Sequence, residues 1–313
     1  GNRFLSRDVQ GLYNVSNSPV DPQQLITQEF YLAPLDTRVV FGLDKVMKIK
    51  GDLGEVSRDT NGSLMAMSRP QHYEVYSRMN RPSLPQLNSA GRTPIPDRIR
   101  RYHLQIPQYS LQIEQLAQSI TNGRSSMLHK VVAVEKYLQT NYRYSLTDIT
   151  QDAKDPISKF LFETKKGHCE YFSTSMVMLL RHLGIPARIV NGFLQGEYND
   201  IGGFYVVRNS DAHSWVEAYF DGTWVPFDPS PRPELVAANS DKFNFDFHKI
   251  LESINFFWDR YILIFSGQDQ VVAITALRDR YQELRSRVSS SRDQDRNVLE
   301  SILNWWKKNQ KTL

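Results

Sequence analysis

The chain has 313 residues, a formal net charge of +4 at pH 7 and a mean hydropathy of −0.47, and 40% of its residues are hydrophobic. These values are typical of a globular protein with a substantial core. The mild charge, without a dense Lys/Arg block, argues against a nucleic-acid partner. No apolar run approaches the roughly 20 residues needed to cross a bilayer. The first residue is Gly1, and we expect a fragment containing about two or three structural units.

The chain contains a single cysteine, Cys169. One cysteine excludes an internal disulfide framework and a cysteine-based zinc ribbon. The sequence also lacks an H-E-x-x-H motif, so we predict neither a metal site nor a cofactor. A lone cysteine is most often a small buried hydrophobic residue, and a chemical role for Cys169 must therefore be supported by its neighbours.

Residues 1–105 predict a β-rich module with a sandwich-like arrangement. Short β-branched and aromatic runs are separated by Pro, Gly and Asp, as in TQEFYLAP, TRVVFGL, KVMKIKG and QHYEVYSRM. Few helical patterns interrupt these runs, which favours two packed sheets. The segment RPSLPQLNSAGRTPIPD, with its four prolines, is interpreted as a linker.

Residues 106–235 predict a second domain of the α+β class. QYSLQIEQLAQSI and SSMLHKVVAVEKYLQTNY have helical periodicity, with Ser125 or Ser126 as a cap of the second helix. DPISKFLFE predicts a short helix capped by Asp155, and Gly184 ends the helix that begins near Cys169. Strands follow in IPARIVNGF, FYVVR, AHSWVEAYF and TWVPFD.

Residues 236–313 predict a C-terminal helical region, from FHKILESINFFWDRYILIF and QVVAITALRDRYQELRSRV. The tail places Trp305 and Trp306 next to Lys307 and Lys308. Paired Trp and Lys mark membrane–water interfaces. An amphipathic terminal helix that packs on the body of the protein explains the same pattern.

Cys169 lies where a helix is predicted to begin, and this position favours a thiolate. The unpaired N–H groups and the dipole at a helix N-terminus lower the pKa of a thiol. A nucleophilic thiol also needs a base, and the chain has seven histidines: His72, His103, His129, His168, His182, His213 and His248. His168 points away from its neighbour, His182 lies turns down the same helix, and His129 lies on a solvated face. His213, at the start of a strand, remains the best candidate.

The dipeptide Asp221–Gly222 predicts a tight hairpin that brings an acid to His213. A two-residue loop pairs Phe220 with Thr223, which places His213 and Asp228 as diagonal neighbours on one face, roughly 7–8 Å apart at Cα. Asp228 can then accept a hydrogen bond from one imidazole nitrogen and leave the other for the thiol. Pro226 in the second strand is a point where a bulge could shift this register.

Three motifs in this order resemble the transglutaminase-like superfamily: GHCEYFSTS, AHSWVE and DPS, with GIPAR between the first two. The resemblance implies a papain-like core, with a helix carrying Cys169 packed on an antiparallel sheet carrying His213 and Asp228. It assigns these three residues as a catalytic triad. The wider layout is similar to membrane-anchored bacterial members of the TgpA type, which implies an extracytoplasmic (periplasmic) domain held by membrane segments absent from this chain. His168 stands where an apolar residue is common in the family, and its role stays open.

The resemblance implies acyl transfer from a glutamine side chain through a thioester of Cys169. A protein or peptide glutamine is the expected donor, and a primary amine is the acceptor. Two alternatives remain: a cysteine peptidase or amidase acting on cell-envelope peptides, and a catalytically silent envelope interaction module. The oligomeric state is not predicted.

Four further residues are candidates for the site. The Cys169 N–H is one oxyanion donor, and Tyr142 or Tyr144 is a candidate for the second, although both can simply pack at the end of the preceding helix. Trp215 shares a face with the triad and can wall the site or belong to the core. Glu217 can bind an amine or balance a structural charge such as Arg188.

Overall fold

The computed structural model describes residues 3–8, 11–16, 21–33, 37–78, 82–91, 93–106, 111–147 and 154–231, together with residues 249, 252 and 253. The N-terminal part consists of two antiparallel sheets. One sheet has the order β2-β4-β7-β3 and the other the order β1-β5-β6. Their strands are β1 (Arg3–Phe4), β2 (Leu12–Asn14), β3 (Leu25–Tyr31), β4 (Val46–Gly51), β5 (Val56–Arg58), β6 (Leu64–Ala66) and β7 (His72–Arg78).

Both N-terminal sheets contribute to one hydrophobic cluster. Ile49 and Val75 from the larger sheet and Val56 from the smaller one are fully buried in it. Strand β7 alternates buried and partly exposed residues along its whole length, as expected for a sheet with one face in a core. The predicted β-rich module is therefore present, but residues 37–43 do not form the predicted strand: Val39 makes only an isolated bridge to Met65.

The proline-rich segment after β7 was predicted as a linker, and this prediction is wrong. It contains helix α1 (Leu84–Ser89), which begins after Ser83 and has Pro85 in its first turn. The Ser83 N–H donates to Gln86 Oε1 at 2.8 Å, and Leu87 is buried in the cluster of the following domain. Helix α2 (Asp97–His103) follows directly.

The part of the chain from Leu111 to Phe227 packs helices on a three-stranded antiparallel sheet. The helices are α3 (Leu111–Thr121), α4 (Met127–Asn141), α5 (Pro156–Ser158), which continues as a π-helical turn (Lys159–Thr164), and α6 (Cys169–His182). The sheet has the order β10-β13-β14, formed by Ala187–Phe193, Ala212–Phe220 and Thr223–Phe227. Two short strands, β8 (Arg143–Tyr144) and β9 (Lys166–Gly167), pair in parallel, and β9 leads into α6.

Helix α6 is the centre of this domain. Phe172, Met176 and Leu179 are fully buried, and they pack in a cluster with Val216 and Ala218 of β13. The residue with φ of 72° that ends the helix is Gly184, as predicted. Asp155 caps α5 by accepting from Ser158 N at 3.0 Å, and this prediction is also confirmed. Ser126 occupies the N-cap of α4 without a side-chain capping bond.

The hairpin of β13 and β14 has the predicted register. Asp221 (φ 40°) and Gly222 (φ 97°) both adopt the left-handed conformation that a two-residue hairpin turn requires. Phe220 pairs with Thr223, and the ladder continues without a shift to the pair Val216 and Phe227. Pro226 therefore introduces no bulge, because it lies on the edge strand of the sheet.

Strands β10 and β13 are neighbours in the sheet but are joined by an excursion of 18 residues, numbers 194–211. It contains a small hairpin, β11 (Glu197–Asn199) and β12 (Phe204–Val206), with Tyr198 and Tyr205 in contact at 5.0 Å between ring centroids. A backbone hydrogen bond from Leu194 N to Asp211 O closes its base at 2.9 Å.

By contact density, the described residues of 3–198 and 204–231 form one compact unit. Residues 199–203 belong to a second unit with residues 249, 252 and 253, in which Asn199 Nδ2 donates to Lys249 O at 2.9 Å. Nearly all of the predicted C-terminal helices, and the Trp305–Lys308 tail, lie outside the described residues. Within the residues that are described, no helix has the length and apolar character of a bilayer-crossing segment.

Candidate active site

Cys169 is the first residue of α6 and is 8% exposed. The backbone that leads into Cys169 passes through Gly167, the last residue of β9. A Cβ on Gly167 would stand 2.9 Å from a ring carbon of Tyr171, so only glycine lets that ring lie against the strand. His168, between Gly167 and Cys169, is the N-cap of α6 and has an extended backbone conformation. Its ring packs edge-to-face against Tyr171, with 4.8 Å between the ring centroids.

His213 and Asp228 are in direct contact, as the hairpin register predicts. His213 Nε2 lies 3.0 Å from Asp228 Oδ2. The other carboxylate oxygen of Asp228 accepts from Ser230 N at 3.0 Å, which fixes the orientation of the carboxylate. With Nε2 engaged, Nδ1 is the ring nitrogen left to hydrogen-bond Cys169. The structure therefore brings the three predicted residues together.

The thiol of Cys169 is activated by its surroundings. Burial alone would raise its pKa, but hydrogen bonds from the His213 ring and from Ser214 N–H, together with the charge of His213, outweigh burial and lower the pKa to about 7. A free cysteine has a pKa near 8.5. The Oγ of Ser173 on α6 donates to Ser214 O at 2.8 Å, so the helix and the strand are joined beside the thiol.

The pKa values of His213 and Asp228 are shifted as well. The hydrogen bond to Asp228 is the largest influence on His213, followed by the hydrogen bond with Cys169, and they raise the pKa of His213 to about 9 against the opposing effect of burial. Burial tends to raise the pKa of Asp228, but the hydrogen bonds from His213 and from Ser230 N–H lower it below its usual range. A thiolate–imidazolium pair therefore forms between about pH 7 and pH 9.

Of the two tyrosines predicted as oxyanion donors, only Tyr144 is near Cys169. Its hydroxyl is hydrogen-bonded to both the side chain and the N–H of Cys169. Burial raises the pKa of Tyr144 most, the charge and the side-chain hydrogen bond of Cys169 raise it further, and the hydrogen bond from the Cys169 N–H lowers it. Tyr142 is 4% exposed, and its hydroxyl donates to Leu161 O at 2.9 Å. The assignment of Tyr142 to the oxyanion site is wrong, because its ring belongs to the core beside Phe160.

Trp215 lies over the backbone of Gly192 in β10. Gly192 is the register partner of His213, so the indole stands next to the imidazole on the same face of the sheet. Trp215 is partly exposed rather than fully buried, which fits a wall of the site more closely than a core residue.

Glu217 forms an ion pair with Arg188, the structural role that the sequence offered as the alternative to binding an amine. Its Oε2 accepts from Arg188 Nε at 2.7 Å and from Arg188 Nη2 at 2.6 Å. The Arg188 guanidinium also lies 4.3 Å from the centroid of the Trp224 ring. Glu217 is 7% exposed, so this ion pair leaves no carboxylate surface for a substrate amine.

Two residues of α4 contact the site and were not predicted from the sequence. Glu135 Oε1 accepts from Asp228 N at 2.9 Å, and Gln139 Nε2 donates to Asp228 O at 2.7 Å. The available signal was a pair of polar residues four positions apart in a helix whose neighbouring positions, Val131, Val134 and Leu138, are buried.

The described part of the chain contains no group of three or more His, Cys, Asp or Glu side chains that could hold a metal ion. The reactive groups that the structure brings together are the thiol of Cys169, the imidazole of His213, the carboxylate of Asp228 and the phenol of Tyr144.

Comparison with known proteins identifies the domain that holds this site. Residues 114–229 match the family model of the transglutaminase-like superfamily core. This chain contains a transglutaminase-like domain. The matched range includes Cys169, His213 and Asp228 and ends one residue after Asp228.

Two curated relatives match parts of the chain. It is 45% identical over 126 residues to the uncharacterized protein YebA of Bacillus subtilis, and this match covers 38% of the chain and 17% of YebA. It is 26% identical over 204 residues to a protein-glutamine gamma-glutamyltransferase of Pseudomonas aeruginosa, covering 56% of the chain and 30% of that relative. The chain spans less than a third of the length of either relative.

The fold matches that of the periplasmic domain of TgpA from Pseudomonas aeruginosa. The crystal structure of that domain bound to ethylmercury has a TM-score of 0.54 and 26% sequence identity to this chain, covering 66% of this chain and 72% of TgpA's domain. A second crystal structure of the same domain also gives a TM-score of 0.54, at 24% identity. The α+β architecture with a transglutaminase-like core, expected from the motifs, is confirmed.

Proposed function

We propose that the chain catalyses acyl transfer from glutamine side chains, with Cys169 as nucleophile, His213 as acid and base, and Asp228 as the residue that orients the imidazole. The observation that carries the proposal is the hydrogen-bonded series of Cys169, His213 and Asp228 at the helix N-terminus. The similarity to a protein-glutamine gamma-glutamyltransferase supports glutamine as the acyl donor.

The first half of the reaction forms a thioester. The Cys169 thiolate attacks the carboxamide carbon of the glutamine side chain, and a tetrahedral intermediate forms with a negative oxygen. The Cys169 N–H and the Tyr144 hydroxyl donate hydrogen bonds to that oxygen. The C–N bond then breaks, and the imidazolium of His213 transfers its proton to the leaving nitrogen, which departs as ammonia.

The second half transfers the acyl group. A primary amine attacks the thioester carbonyl while neutral His213 removes a proton from the attacking nitrogen. The C–S bond breaks, the Cys169 thiolate is restored beside the imidazolium, and an isopeptide bond is formed. When water replaces the amine, the same steps convert glutamine to glutamate.

The test is incorporation of a labelled primary amine into a glutamine-containing protein. We expect incorporation with the wild-type chain and none above background with Cys169→Ala. Asp228→Asn should retain the fold and lose about 10²–10⁴-fold in kcat, the range that general acid–base assistance supplies. Equal incorporation by wild type and Cys169→Ala would overturn the proposal. Peptide cleavage without incorporation, detected by mass spectrometry, would replace transfer with hydrolysis.

We also propose that the chain functions on the extracytoplasmic side of a bacterial membrane, as the exposed part of a membrane-anchored protein. The match to a periplasmic domain supports this location, as do the adjacent Trp and Lys residues of the tail. Labelling of Cys169 in the full-length protein by a membrane-impermeant maleimide, applied to cells with a permeabilised outer envelope, tests it. Labelling that requires lysis of the inner membrane would place the domain inside.

A further inference from the structure

Strand β14 ends at the residue before Asp228, so its ladder with β13 does not hold the backbone of Asp228. Strand β14 stops at Phe227, where the ladder with β13 ends at Val216. Among the residues that the structure describes, β14 is also at the edge of its sheet and pairs only with β13. The backbone of Asp228 therefore obtains no support from β-pairing, and its N–H and C=O need other partners.

Helix α4 supplies both partners. Glu135 Oε1 accepts from Asp228 N at 2.9 Å, and Gln139 Nε2 donates to Asp228 O at 2.7 Å. Residues four apart lie on one face of a helix, so the two side chains reach the same backbone segment. They engage the peptide groups on both sides of the Asp228 Cα.

We propose that Glu135 and Gln139 are positioning residues that hold the backbone of Asp228 so that its carboxylate meets His213. The inference rests on the proposed function of the triad and adds the part of α4 that holds it in place. The contacts that Glu135 and Gln139 make at the site are with the backbone of Asp228, so their influence on the imidazole passes through that residue. Helix α4 thereby does for Asp228 what a further strand would otherwise do.

The two contacts differ in strength and in the substitutions they tolerate. The Glu135 carboxylate makes a charge-assisted hydrogen bond, which is stronger than a neutral one. An amide oxygen at the same position keeps the acceptor but loses the charge, so Glu135→Gln is the conservative variant. Gln139→Glu places a carboxylate against the Asp228 carbonyl and removes the donor, so it is the disruptive variant at that position.

The test compares Glu135→Ala, Glu135→Gln, Gln139→Ala and Gln139→Glu with Lys136→Ala, an exposed residue of the same helix. The readouts are the pH dependence of Cys169 alkylation by iodoacetamide, kcat and KM for amine incorporation, and thermal unfolding. We expect Glu135→Ala and Gln139→Glu to reduce kcat by about 10–100-fold, as for a misplaced catalytic group, with KM unchanged within about twofold. The alkylation midpoint should move from about 7 towards 8.5, the value for a free thiol.

Glu135→Gln should recover most of the wild-type alkylation profile, and Lys136→Ala should match the wild type. A wild-type midpoint and kcat in both Glu135→Ala and Gln139→Ala, whatever their thermal stability, would overturn the inference, because the two contacts would then serve only folding. If Glu135→Ala does not fold, Gln139→Ala and Gln139→Glu decide by the same readouts. A shifted alkylation midpoint in a chain without transferase activity would support the positioning role and reject the proposed reaction.

Discussion

The indole of Trp215 covers the one residue of β10 that has no side chain, Gly192. A Cβ on Gly192 would stand 2.6 Å from a ring carbon of Trp215, closer than nonbonded carbons approach. Because Gly192 pairs with His213, the positions of both the indole and the imidazole depend on the missing side chain at Gly192.

Gly192→Ala should therefore displace Trp215 and disturb His213. Overpacking of this kind costs about 1–3 kcal/mol of stability, and we expect a lower melting temperature together with lower kcat/KM. Combining it with Trp215→Leu, which removes the clashing ring, should recover part of the stability but not the activity. Additive losses of stability in the double variant would show that the two residues do not compete for space.

Tyr144→Phe and Tyr142→Phe form a matched pair that tests the oxyanion assignment. Removing the Tyr144 hydroxyl should reduce kcat by about 10²–10³-fold, the usual effect of losing one such donor, with little change in melting temperature. Removing the Tyr142 hydroxyl takes away its hydrogen bond to the Leu161 carbonyl in the core, which should cost about 1–3 kcal/mol of stability and leave kcat unchanged. The reverse pattern would exchange the two roles.

The reactivity of the single thiol should report the state of the site directly. The rate of iodoacetamide alkylation should rise with pH with a midpoint of about 7, because the pKa of Cys169 is lowered to that value and the thiolate is the reactive form. Amine incorporation should decline above about 9, where His213 loses its proton. In His213→Ala the midpoint should rise well above 7, because the hydrogen bond and the charge of the imidazolium are gone while burial continues to raise the pKa of the thiol. A midpoint below 8 in that variant would contradict the assignment.

Glu217→Gln should weaken folding without affecting the reaction. The change leaves the Arg188 charge partly buried without its carboxylate, a loss of about 3–5 kcal/mol for a buried pair. The control is Glu74→Gln, which breaks the exposed pair with Lys50 and should cost under about 1 kcal/mol. Chemical denaturation measures both. A raised KM for the amine in Glu217→Gln would restore the substrate-binding role.

Protonation of His103 should lower the free energy of unfolding in mild acid. It is 7% exposed and packs edge-to-face on Trp224, and burial, with the charges of nearby arginines, lowers its pKa to about 4. An unfolded histidine has a pKa near 6.5, so between about pH 6.5 and pH 4 the unfolded state binds the extra proton and stability falls as pH falls. His103→Phe removes this contribution. Parallel curves of unfolding free energy against pH for both proteins would contradict it.

The geometry of His213 and Asp228 was predictable because a turn dictates it. Asp221 and Gly222 select one hairpin type, and the hairpin type fixes every pair that follows. The position of Pro226 did not disturb this result, since an edge strand has no outer neighbour to which a missing N–H matters. Sequence reasoning is strong where one local feature sets a long register.

Other features depended on contacts that no local pattern contains. Helix α1 was missed because proline suggested a linker, whereas Pro85 occupies the first turn of the helix and Leu87 is buried by tertiary packing. Tyr142 and Tyr144 were indistinguishable in sequence: both rings contact Phe172, and only tertiary packing directs the Tyr142 hydroxyl to Leu161 O and the Tyr144 hydroxyl to Cys169. The pair Glu135 and Gln139 has meaning only once Asp228 is opposite it.

The sheet also shows how such a protein can diversify. Strands β10 and β13 are joined edge to edge from Ala187 to Phe193, yet the chain between them leaves the sheet and returns through the closed base at Leu194 and Asp211. Lengthening a loop adds little closure entropy once its ends are fixed. Evolution, or a protein engineer, can therefore exchange residues 195–210 as a cassette, while the ladder between β10 and β13 that carries His213 keeps its register.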